Sequence, residues 1–290
     1  MCYDYSIDDG SVAMNMNFEL NDYVLAWNLL YKSSLTEKIK ETKKHIWKNY
    51  KNQYNNIYKD MELILEDPKN FIPSNDTVYN IVKESEDFEE VKKQAEKYRI
   101  SLMKLWDKNR KKIEYLVENV FRKKIRKYDC SVINKEFNIQ ETYLLDEKKG
   151  RILIGKDFKD ENDFLVDTLY EIAKKEIKIK ESDDLGIKDA IIELAVSNEF
   201  ATLIKKRSCY KEGTAKLFYL KKQIYPYWLM YLGIKKEDMV KYMMRDKIAF
   251  EVKKFAYEKE LINMNLEEFI EFIIRNSRYI IREKRKTEII

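Results

Sequence analysis

The chain has 290 residues, 44% hydrophobic and 13% aromatic, enough to bury a sizeable core and too apolar for a disordered protein. Its 56 basic and 51 acidic side chains leave a formal net charge of +5, which implies at most a weak general attraction to polyanions. Six glycines and three prolines are too few for a sandwich, a barrel or a glycine-rich cofactor loop. The expectation is therefore an α+β protein, predominantly α-helical, with a small mixed or antiparallel sheet.

Met1 to Gly10 is acidic, without the basic and then apolar regions of a secretory leader. No run approaches the ~18 apolar residues of a membrane span. Cys2, Cys130 and Cys209 are scattered and form no Cys-x-x-Cys pair. These features lead to the expectation of a cytoplasmic protein with no membrane partner.

After a short polar lead, Leu20 to Tyr31 reads as a helix. From Thr36 to Glu66 the apolar residues Ile39, Ile46, Tyr50, Tyr54, Ile57, Met61 and Ile64 keep helical spacing, which predicts one long helix stopped by Asp67-Pro68. Ser74, Asn75 and Asp76 supply caps for the next element. A charged helix is predicted over Asp87 to Asp107 and another over Ile113 to Ile125. Tyr128 to Ile133, Thr142 to Leu145 and Arg151 to Ile154 read as strands, with Asp146 to Gly150 as a hairpin turn. Residues 1–127 thus form a helical front, and residues 128–290 a strand-containing part followed by helices punctuated by Pro226, Gly233 and Asn263 to Asn265.

A polar connection, Lys156 to Asp163, separates the last strand from an amphipathic helix, Asn162 to Ile177. A helix apolar nearly all round follows at Ile187 to Ile204, and such a helix is buried. In regular α-helix, Glu193 and Glu199 in this segment stand about 240° apart and cannot face one site together.

The order strand, helix with Tyr170-Glu171-Ile172-Ala173-Lys174, then a second helix with Glu193 and Asn198-Glu199 resembles the core of a zincin metallopeptidase. In that family a His-Glu-x-x-His helix grips zinc, its Glu acts as general base, and a downstream carboxylate supplies the third ligand. Both histidine positions are replaced here, by Tyr170 and Lys174, and the chain's one histidine is the distant His45. The resemblance implies a vestigial site, with Tyr170, Glu171 and Lys174 facing Glu193 or Glu199, and no zinc or other cofactor. A lysine at a ligand position repels a cation and needs a counter-charge, for which Glu199 is preferred over Glu193. Such a decayed fold would be kept for binding a peptide or partner protein, in the cleft beside Arg151 to Ile154.

Two other readings stand beside this one. Lys108, Arg110, Lys111 and Lys112, followed by Arg122, Lys123, Lys124, Arg126 and Lys127, form the richest basic run. It would suit a helical nucleic-acid-binding or regulatory protein, although Glu114 and Glu118 dilute it. Glu171 and Lys174 would alternatively serve metal-free acid–base catalysis. His45 lies among cations, and Tyr50, Tyr54 and Tyr58 form a stripe; both features suit packing or surface better than chemistry.

Overall fold

The structure, a computed structural model, describes residues 14–31, 37–67, 70–135, 143–146, 150–245 and 258–281. Cys2 and most of the expected hairpin turn lie outside the described residues. The protein is predominantly helical, with one small mixed sheet in the order β1-β2-β4-β3. Its strands are β1 (Met16–Glu19), β2 (Tyr128–Val132), β3 (Tyr143–Asp146) and β4 (Arg151–Ile154). β1, β2 and β4 run parallel, and only β3 is antiparallel to its neighbour. The expected β2, β3 and β4 are present, whereas β1 emerges from what reads as polar lead. There Met14, Met16 and Phe18 are buried and alternate with exposed Asn15 and Asn17, the two-residue period of a half-buried strand. The β1–β2 pair joins the helical front to the strand-containing part.

Strand alternation explains why the protein has two apolar clusters. Cys130, Val132, Ile152 and Ile154 point into one, which gathers the C-terminal half. Ile133 and Leu153 point into the other, formed by the first helices. The central strands β2 and β4 are therefore covered on both faces and read as nearly continuous apolar runs.

On the N-terminal side lie α1 (Asp22–Tyr31), α2 (Glu37–Asn49), α3 (Tyr54–Glu66), α4 (Asp76–Lys83) and α5 (Glu86–Lys108). The long helix expected over Thr36 to Glu66 is instead two helices, broken at Tyr50 and a 3₁₀ turn, Lys51–Gln53. The Asn49-Tyr50-Lys51-Asn52 stretch carries weak helix formers. Breaking it brings the Trp47 and Tyr54 rings to 4.8 Å, both packed against Tyr31. The tyrosine stripe is thus an aromatic seam, although Tyr54 and Tyr58 stay partly exposed. Asn75 and Ser85 cap α4 and α5 by accepting the Val78 and Phe88 N–H groups. His45 is exposed and lies 3.4 Å from the Asn49 amide.

The chain continues through α6 (Arg110–Tyr115) into a π-helical stretch, Leu116–Phe121, which ends at Arg122 in a left-handed conformation (φ 52°). The other layer holds α7 (Glu161–Glu176), α8 (Ile187–Glu193), a second π-helical stretch (Leu194–Phe200), α9 (Ala201–Lys205), α10 (Phe218–Tyr231), α11 (Lys236–Arg245), α12 (Glu258–Leu261), α13 (Leu266–Arg275) and α14 (Ser277–Ile280). Pro226 does not punctuate this region: α10 runs through it, with the ring buried. α13 opens on a capping box in which Asn265 and Glu268 satisfy each other's backbone N–H groups.

Burial holds the hydroxyls of Tyr31, Tyr79, Tyr98, Tyr128, Tyr170 and Tyr231 above the ordinary tyrosine value of 10.0. A raised folded-state pKa contributes stability that is present below the unfolded value and lost as pH climbs past it. The fold is expected to hold to about pH 10 and to lose helix cooperatively above it, followed by circular dichroism alongside phenolate absorbance. Complete phenolate formation with full helix content retained would contradict this burial.

Candidate functional site

The two helices on which the expected vestigial site falls are α7 and the α8–α9 rod, packed against each other. On α7, Tyr170 and Lys174 share a face one turn apart, and the Lys174 ammonium lies 5.6 Å from the Tyr170 ring centre. The Lys174 carbonyl accepts from Lys188 Nζ at 2.9 Å. Burial raises the Tyr170 pKa, with further contributions from the charges of Asp189, Glu193 and Glu171. The packing therefore brings Tyr170 into the electrostatic range of Glu193. Glu199 acts elsewhere: its charge adds to burial in raising the pKa of Tyr115, at the end of α6.

The cation that meets Glu193 is not the expected Lys174 but Lys221, from α10. Its ammonium is 2.9 Å from Glu193 Oε2, and the two side chains are 1% and 3% exposed. Lys221 Nζ also donates to the Glu212 carbonyl at 2.8 Å and to Asn198 Oδ1 at 3.3 Å. Glu193 Oε1 accepts from the Thr214 N–H at 2.8 Å. Asn198 in turn donates to the Cys209 and Glu212 carbonyls. Burial lowers the Lys221 pKa, opposed by the hydrogen bond and charge of Glu193.

Helix geometry explains how Glu193 and Asn198 cooperate. In α-helix, residues five apart diverge, but the wider π turn bonds i to i+5 and aligns them. The π stretch starts directly after Glu193 and contains Asn198, so both point at the same ammonium. The loop beyond closes over them at Gly213 (φ 106°). A Cβ there would sit 2.3 Å from Glu193 Oε2, so only glycine fits. Next to this cluster, a void of about 10 Å³ lies between Asn198, Thr202, Tyr210 and Trp228, room for about one water. No substrate reaches the pair, and the arrangement is a buried electrostatic lock.

The network extends outward through Lys205, which bridges Asp163 of α7 (2.8 Å) and Glu212 (3.0 Å), while Arg207 meets Glu212 at 2.6 Å. Those hydrogen bonds, outweighing burial, hold the Glu212 carboxyl below its usual range. Cys209 and Cys130 are free, buried thiols; burial pushes Cys209 up to about 11 and Cys130 well above the ordinary value, so neither is poised as a nucleophile.

The residues do not fit a zinc ion. Tyr170 and Lys174 stand where imidazoles are needed, and an ammonium already neutralises Glu193. Among the described residues no group of three or more His, Cys, Asp or Glu side chains could hold a metal.

Access exists elsewhere. A cavity of about 400 Å³ opens between α5 and the carboxyl ends of β2 and β4, the edge of a parallel sheet at which α/β proteins hold ligands. Its apolar lining is Leu102, Leu105, Phe158 and Phe164, and its charged lining Lys97, Lys135, Asp157 and Glu161. Gly155 makes the close approach of the strand ends possible: a Cβ there would fall 2.2 Å from the Ile133 side chain. Binding beside an exposed Arg151 to Ile154 edge does not survive, because β4 pairs with β2 on one side and β3 on the other. Sequence reading missed this cavity, whose residues come from four separate segments.

The basic run divides between surface and structure. Lys108, Arg110, Lys111, Lys124 and Lys127 are exposed, and Lys112 is half-buried and bonded to Asn109. Arg110 lies 3.6 Å from Glu114 and Lys127 4.0 Å from Asp129. Arg122 instead donates to the carbonyls of Tyr231, Ile262 and Met264, with its guanidinium 4.3 Å from the Tyr231 ring centre. Lys123 joins the Glu176 carbonyl and Glu267, and Arg126 pairs with Glu176 at 2.7 Å.

No protein-family model, curated protein or solved structure matches this chain. Among the described residues no helix is long and apolar enough to cross a membrane.

Proposed function

We propose that this is a catalytically inactive, zincin-like protein of the cytoplasm, retained for binding a peptide or partner protein. The observation that carries this reading is the buried Lys221–Glu193 pair, because it commits the Glu193 carboxylate of the second helix to an ammonium and leaves it no part in holding a metal or meeting a substrate. The Lys174 ammonium lies against the Tyr170 ring, and in this reading Glu171 and Lys174 serve packing and charge balance rather than catalysis. The cavity between α5 and the strand ends offers the open surface that binding requires. Engagement of the half-buried Arg122, Lys123 and Arg126 in internal contacts leaves the nucleic-acid reading a thinner surface than the sequence promises.

The test is elemental analysis and peptidase assay on purified protein. Zinc is expected well below one per chain after dialysis, with no cleavage of casein or of a mixed peptide library. About one zinc per chain, or hydrolysis lost on adding a chelator, would overturn the proposal.

A further inference from the structure

We infer that the cavity between α5 and the β2 and β4 ends is a site for short peptides with free termini and an apolar side chain. This rests on the binding reading above and deepens it by naming the ligand class. Its volume of about 400 Å³ lies near the lower end of the roughly 300–1,000 Å³ typical of small-ligand sites, which suits two or three residues better than a folded partner. The apolar lining takes one hydrophobic side chain.

The charges select the rest of the ligand. The lining carries two cations, Lys97 and Lys135, and two anions, Asp157 and Glu161, so it has no net attraction for a polyanion. Lys135 and Asp157 are paired with each other at 3.1 Å. Lys97, on the α5 wall, and Glu161, at the start of α7 on the other wall, are exposed, and among the described residues neither is held in an ion pair. A cation on one wall and an anion on the other match a ligand with a carboxylate at one end and an ammonium at the other. The neutral polar groups are already committed: the Tyr98 hydroxyl donates to the Lys156 carbonyl at 2.8 Å, and Asn134 Nδ2 donates to Gln94 Oε1 at 2.7 Å. These bonds fix the walls before a ligand arrives, which lowers the ordering cost of binding.

Calorimetric titration with the tripeptide Ala-Phe-Ala tests this, using the free, N-acetylated, C-amidated and doubly blocked forms. Each block is expected to weaken binding roughly three- to fivefold, the scale of a solvent-screened ion pair. Lys97→Ala removes the penalty for amidation, and Glu161→Ala removes the penalty for acetylation. Ser101→Trp, at an exposed lining position, fills the cavity and abolishes binding while leaving the circular dichroism spectrum unchanged. Equal affinity for the doubly blocked peptide, indifference to Ser101→Trp, or no binding by the folded protein would each overturn the inference. Mass spectrometry of the recovered peptide separates the two proposals. Cavity binding with cleavage supports the site and overturns the inactive reading; intact peptide, no zinc and no binding does the reverse.

Discussion

Replacing Glu193 with alanine is expected to destabilise the protein by about 3–5 kcal/mol, read from the shift in its denaturant midpoint. The substitution leaves the Lys221 ammonium buried without its counter-ion and opens a gap beneath Gly213. At 1% and 3% exposure the pair gains little from solvent screening, so the cost of a stranded buried charge applies nearly in full. Lys221→Met alone strands the carboxylate and should be comparably damaging. Combining it with Glu193→Leu should recover much of the loss, because two apolar side chains remove both desolvation costs. Recovery stays incomplete, since the Thr214 N–H and the Glu212 carbonyl each lose a partner. A loss under about 1 kcal/mol for Glu193→Ala would mean that water reaches the pair.

Arg122→Ala should cost about 2–4 kcal/mol, on the scale of losing several hydrogen bonds to a charged donor. One guanidinium ties the carbonyls at the ends of α10 and α12 and the residue before the α13 cap, and the left-handed Arg122 backbone aims it there. Removing it leaves those oxygens to water and frees the Tyr231 ring face. Lys111→Ala and Lys124→Ala, at exposed positions of the same basic run, should stay within about 0.5 kcal/mol. Thermal unfolding of the three variants decides the matter: equal midpoints would return Arg122 to the surface and revive a phosphate-contacting role.

Much of the fold was legible wherever local pattern and tertiary structure agree. The strands at Tyr128 and Arg151, the cap at Asn75 and the α7 periodicity follow from side-chain spacing alone. β1 was missed because methionine and asparagine are weak strand formers, so its alternation carries meaning only beside β2, more than a hundred residues away. The break at Tyr50 was hidden because an aromatic every four residues satisfies helical spacing whether or not the backbone stays helical. The lock was half visible. Glu193 was singled out, but Lys221 sits in α10 among residues with no distinguishing motif, and a fixed 100° step hides the alignment of Glu193 with Asn198 that the π turn produces. The cavity has no linear signature at all.

The sheet also bears on how the chain reaches this state. Met16 pairs with Tyr128, and Ile133 and Leu153 complete the apolar cluster under the first helices. A chain emerging from the ribosome therefore carries α1 to α4 with one apolar side uncovered until residue 153 has been made. Closing so long a loop costs entropy before any strand contact repays it. The early helices are thus the part of this protein most exposed to sticking during synthesis, and α5, with Glu86, Glu89, Glu90, Lys93 and Lys97 on its outer face, is the charged segment that follows them in the chain.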